Sequence, residues 1–209
     1  MNSKKVPGKR MERKKEETRS SIISIAMTLF KEKGVDGTTM EEIAEKADIA
    51  KGTLYNYFPV KEAIIDEYIK RSFTVKNEER ILQMKKLPDT GARLFMIFNE
   101  LMSGVKGQKE IFEKYLVYRM KILLSFHQED SEKSGFYLIA NEIIKLGREE
   151  GEIRKDLPLY VMVELFEFAF IEIVKLFYRE KDKFDVSADI EPFVDLCING
   201  IRHNPQSNC

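Results

Sequence analysis

Between Lys51 and Tyr57 this 209-residue chain sets out side chains suited to the edges and phosphates of a nucleic acid. Lys51 offers a point charge to a phosphate. Thr53 and Asn56 donate and accept at base edges, and Tyr55 and Tyr57 add apolar contact with a hydroxyl tip. Gly52 lets another backbone come close. The plainer alternative is a solvated face on an ordinary helical hairpin, which leaves two outward tyrosines unexplained.

Other chemistry is poorly supplied. His127 and His203 have no His, Cys or carboxylate at metal-ligand spacing. There is no serine elbow and no glycine-rich phosphate loop, since Gly34-Val35-Asp36-Gly37 reads as a helix-ending turn. Carboxylates such as Glu41, Glu42 and Glu45 lie among lysines such as Lys46, as surface pairs do. Neither an enzyme nor a cofactor or metal is expected. Cys197 and Cys209 offer no disulfide framework. No apolar run reaches bilayer length, and the basic start leads into charge rather than a signal-peptide core. The expected setting is a reducing cytoplasm, with no membrane partner.

The elements that must carry residues 51–57 are legible in the periodicity. Ile22, Ile25, Ala26, Leu29 and Phe30 recur at helical spacing within a helix from about Lys15 to Lys33, which Gly34 stops. Thr39-Met40-Glu41-Glu42 forms a capping box, with Thr39 capping and Glu42 reaching back. A short helix follows to about Ala47. Asp48-Ile49 makes a tight turn, and a third helix runs from about Ala50 to Tyr57, burying Leu54 and Phe58 before Pro59 ends it. Two short helices around a tight turn have helix-turn-helix geometry.

Net charge is zero, yet its distribution is uneven. Up to Arg19 there are eight basic residues and three acidic ones, so this segment carries +5 and the other 190 residues −5. Such an arm is either a phosphate-seeking footprint or a solvated tail.

The stretch from Thr38 to Ala44, continued from Lys51-Gly52-Thr53-Leu54-Tyr55-Asn56-Tyr57-Phe58-Pro59 to Glu62, closely resembles the DNA-binding signature of the TetR family of repressors. The likeness covers roughly residues 15 to 65. It implies an all-α fold: a three-helix helix-turn-helix domain in 1–60, then a larger helical effector-binding and dimerisation domain in 61–209. By position it implies that Thr39, Lys51, Gly52, Thr53, Tyr55, Tyr57 and Lys61 touch DNA, with Thr39, Tyr57 and Lys61 mainly holding phosphates. Ala50 replaces a frequent Ser or Thr, and Val60 a frequent capping residue, which bears on affinity and on the sequence read.

Six further helical patterns follow, near 61–85, 89–105, 108–126, 131–150, 158–178 and 187–202, making about nine helices in all. From Leu159 to Tyr178 charge is confined to a narrow stripe, so this helix must bury two sides. With the resemblance, that points to a homodimer joined through Phe166, Phe170, Val174 and Phe177, together with Phe193, Cys197 and Ile201 of the last helix. A wholly internal core is the alternative. Phe95, Phe98, Met102, Phe112, Tyr115, Tyr118 and Phe166 are candidates to line a pocket for a small hydrophobic effector, though such a stripe is more often simply core.

The expected function is repression from a palindromic site on double-stranded DNA, relieved by the effector. Two alternatives stand beside it: an architectural or cell-division DNA-binding protein on the same fold, and a helical small-molecule carrier or enzyme.

Overall fold

A computed structural model describes residues 8–123, 135–180 and 183–201, with the side chains of residues 123 and 201 left aside. His127, His203 and Cys209 lie outside these residues. Among the described residues the regular structure is nine α-helices, with no β-sheet. They are α1 (Lys9–Lys33), α2 (Met40–Lys46), α3 (Lys51–Tyr57), α4 (Lys61–Met84), α5 (Thr90–Gly107), α6 (Lys109–Leu123), α7 (Gly135–Glu149), α8 (Leu159–Glu180) and α9 (Val186–Ile201). None of them is long and apolar enough to cross a membrane.

Most boundaries fall within a few residues of the periodic pattern, and the exceptions have local causes. α1 begins at Lys9 rather than near Lys15. Its extra turns are exposed and apolar periodicity is absent from them. They rest on good helix formers and on pairs such as Arg13–Glu17 at 3.3 Å, one turn apart. The basic arm is therefore helical from Lys9 onward. α9 starts at Val186, because Asp185 caps it by accepting from the Ala188 amide at 2.8 Å.

The chain forms two compact units. The first takes residues up to Ile69 and the segment from Glu110 that carries α6; the second takes Lys70–Lys109 and α7 to α9. In the first unit α2 packs on α1 and α3. Ile22, Ala26, Ile43, Leu54, Ile64 and Ile65 are completely enclosed there. Arg119 of α6 and Asp66 of α4, both buried, face each other at 3.8 Å.

In the second unit α5 packs on α9 and α7, α7 on α8, and α8 on α9. Gly147 permits the closest approach: a Cβ there would stand 2.4 Å from the Thr90 hydroxyl. Phe98, Phe136 and Phe170 form a cluster, with ring centroids 5.6–6.2 Å apart.

Arg93 is the most deeply enclosed charged side chain among the described residues, at 2% exposure. Two of its nitrogens donate to Glu150 at 2.6 and 2.8 Å, and it also donates to the Met84 and Leu87 carbonyls at 3.1 and 3.2 Å. One guanidinium thus ties the end of α4, the α4–α5 turn and the end of α7 to α5. Arg93→Met leaves two inward carbonyls without their donor. It is expected to lower the unfolding free energy by about 2–4 kcal/mol, read as a reduced urea midpoint with native helix content retained.

Candidate nucleic-acid interface

α2 and α3 are each seven residues long, too short to hold their shape unaided. Caps and packing define them. The Thr39 hydroxyl accepts from the Glu42 amide at 3.1 Å. The Glu42 carboxylate pairs with Lys33 of α1, which chiefly holds it below the usual carboxylate range; the Thr39 backbone adds a smaller pull in the same direction. Asp48 makes the turn with φ of 51°, the sole left-handed non-glycine among the described residues. The Ile49 amide then returns to the Ala44 carbonyl at 3.1 Å. α3 has no side-chain cap at Ala50. It is anchored by Leu54 and Phe58, which are enclosed. The Arg19 guanidinium lies 5.0 Å from the Phe58 ring centroid.

With Leu54 and Phe58 turned inward, the opposite face of α3 is presented. Lys51, Gly52, Tyr55 and Asn56 are exposed, Thr53 and Tyr57 half-buried. Nothing lies within 4 Å of where a Gly52 Cβ would stand, so another molecule's backbone has room there. Lys51 stands 5.9 Å from the Tyr55 ring centroid and pairs with Glu41 of α2. The hydrogen bond from Lys51, more than any other influence, holds the Glu41 carboxyl below its ordinary range, and the same bond raises the Lys51 ammonium. Thr39 is exposed beside this face.

Lys61 is placed differently from the residues of α3. Its ammonium donates to the Val35 and Thr38 carbonyls at 2.6 and 2.7 Å, across the loop between α1 and α2. Two of its three N–H donors are engaged there. The loop is closely satisfied throughout. The Gly34 amide reaches Phe30, the Thr38 hydroxyl donates to the Gly34 carbonyl at 2.8 Å, and the Val35 amide donates to Glu110 of α6 at 2.7 Å. Glu110, and Lys114 paired with Asp36, escape a reading based on periodicity. They lie 75 and 78 residues from their partners, and no local pattern links them.

The seven candidate pocket residues fall in both units. Phe112, Tyr115 and Tyr118 are on α6, counted in the first, while Phe95, Phe98, Met102 and Phe166 belong to the second. Phe98, Met102 and Phe166 are completely enclosed. Of the residues expected at a dimer contact, Phe166, Val174, Phe177 and Cys197 are buried in the chain's own core. Burial pushes the Cys197 thiol up to about 11. Phe170 and Phe193 are half-buried, and the Ile201 side chain lies outside the described residues. The apolar side chains that α8 and α9 do expose are Tyr160, Val161, Phe168 and Leu196. Among the described residues no three His, Cys, Asp or Glu side chains gather as metal ligands would.

The model of a family described as bacterial regulatory proteins, tetR family, matches residues 22–68. The chain is 31% identical over 112 residues to IcaR of Staphylococcus aureus, the HTH-type negative transcriptional regulator of the biofilm operon icaADBC. That alignment takes in 54% of this chain and 56% of IcaR, so the chain spans about half the length of these relatives. It is 26% identical over 191 residues to the fatty acid metabolism regulator protein of Bacillus subtilis, covering 88% of this chain and 94% of that protein. Among solved structures, Thermus thermophilus FadR, a TetR family transcriptional repressor in complex with lauroyl-CoA, superposes with a TM-score of 0.69. The match has 23% identity and covers 91% of this chain and all of that one, a likeness of fold.

Thr39→Ala removes the α2 cap without touching the core. It is expected to cost about 1 kcal/mol of stability, seen as a lower thermal midpoint, with faster amide exchange at Glu42 as the local signature.

Proposed function

We propose that the chain is a repressor of the TetR type, the family whose model matches residues 22–68. It binds a palindromic operator as a homodimer and is released by a small hydrophobic effector. The carrying observation is the outward face of α3: an exposed Lys51, Gly52, Tyr55 and Asn56 on a helix anchored from behind by Leu54 and Phe58. In this reading Tyr55, Asn56 and Thr53 meet base edges, Gly52 admits the DNA backbone, and Thr39, Lys51 and Tyr57 hold phosphates. Lys61 keeps one N–H for a phosphate while it secures the loop. The unit of residues up to Ile69 with α6 serves DNA, a wider one than residues 1–60, and the unit of Lys70–Lys109 with α7 to α9 serves effector and partner.

The effector class we propose is an acylated one, such as a fatty acyl-CoA. The support is the near full-length likeness to a fatty acid metabolism regulator and the shared fold with a repressor bound to lauroyl-CoA. For the partner subunit we propose the outer sides of α8 and α9 that bear Phe168 and Leu196, at 61% and 69% exposure, because side chains of that size stay in water at a cost unless covered.

Selection from random duplex DNA by the purified protein is expected to enrich one palindrome with half-sites about one helical turn apart. Palmitoyl-CoA is then expected to lower affinity for it. Enrichment without any response to acyl-CoA would reject the effector class, and no enrichment would reject the repressor reading. Tyr55→Ala is expected to abolish specific binding and leave the dimer intact. Phe168→Glu combined with Leu196→Glu is expected to yield a folded monomer by light scattering; an unchanged dimer would place the interface elsewhere.

A further inference from the structure

The α1–α2 loop is gripped at a single residue from two directions. The Val35 amide donates to the Glu110 carboxylate at 2.7 Å, and the Val35 carbonyl accepts from Lys61 at 2.6 Å. Val35 itself is completely buried, so neither backbone group has water to fall back on. Gly34 is suited to this position on two counts. Its φ is +77°, and a Cβ there would lie 3.3 Å from both Glu110 oxygens. One turn along α6, Lys114 meets both carboxylate oxygens of Asp36, the next loop residue, at 2.7 and 2.8 Å. Two successive loop residues are thus matched by two α6 residues in register. The helix behind them is itself fixed, with Ile111, Tyr115 and Arg119 all buried and Arg119 facing Asp66.

The loop leads directly into Thr39, the cap of α2, and α2 carries α3 through the Ala44–Ile49 turn. Resting on the DNA-binding reading, we propose that Glu110 is a positioning residue: from α6 it fixes the Val35 peptide and thereby the attitude of the recognition helix. Glu110 is also the first residue of the segment in which the chain, after a run in the second unit, returns to the first.

Electrostatics alone predicts the opposite sign. Removing a carboxylate from a DNA-facing unit lessens repulsion of phosphates and tightens binding. Positioning predicts a loss, and a loss that depends on the acceptor rather than on the charge. Glu110→Ala removes both; Glu110→Gln removes the charge and keeps a carbonyl that can accept from Val35. Operator affinity is expected to fall about tenfold in Glu110→Ala and to stay within about twofold of wild type in Glu110→Gln. Exchange of the Val35 amide, measured without DNA, is expected to accelerate in the alanine variant alone. Equal behaviour of the two variants in affinity and exchange would overturn the proposal, whichever direction they move. If the wild-type protein selects no DNA sequence, the repressor reading fails. The exchange comparison then decides by itself whether Glu110 holds the loop. A variant that fails to fold is replaced by Glu110→Ser, which shortens the acceptor out of reach and keeps a polar surface.

Discussion

A seven-residue α-helix does not persist in water, because nucleation fixes several residues before hydrogen bonds accumulate. Both α2 and α3 are of that length, so their shape depends on being held from outside. Leu54 and Phe58 supply the hydrophobic part of that hold, and Ile43 and Ala44 of α2 are buried with them. Thr39, Lys61 and Glu110 supply the polar part by satisfying an amide of α2 and the backbone of the entering loop. The uncapped start of α3 at Ala50 is tolerable only in that setting, where packing replaces a missing hydroxyl.

The helix-turn-helix was legible in the sequence because its signals are local. Gly34, Thr39, Asp48 and Pro59 each act on a backbone within a few residues, and each marks the boundary expected of it. The early start of α1 was missed for a related reason: apolar spacing reports a buried face, and a helix of Lys, Arg and Glu surrounded by water has none. The clamp at Val35 was not legible at all. A salt bridge or hydrogen bond between residues 75 apart leaves no period in one sequence.

The last third shows another limit. A helix apolar on two sides announces that both are covered, without saying by what. Phe166, Val174 and Phe177 face the chain's own core, whereas Phe168, two residues from Phe166 and so on another side, is left out in the open. Spacing separates the two faces; only the packing of α5, α7 and α9 around α8 tells inside from outside. The same holds for the aromatic residues of α5 and α6, which one composition-based reading groups together and the fold distributes over two units.

The pairing of Lys51 with Glu41 gives the outward face of α3 a built-in counterion. Both partners are exposed, so the pair is weak and the lysine can exchange the carboxylate for another anion at small cost. Lys33 with Glu42 and Lys114 with Asp36 leave the neighbouring surface similarly neutral. The chain's zero net charge thus has a local counterpart, in which lysines of the first unit each stand against a carboxylate.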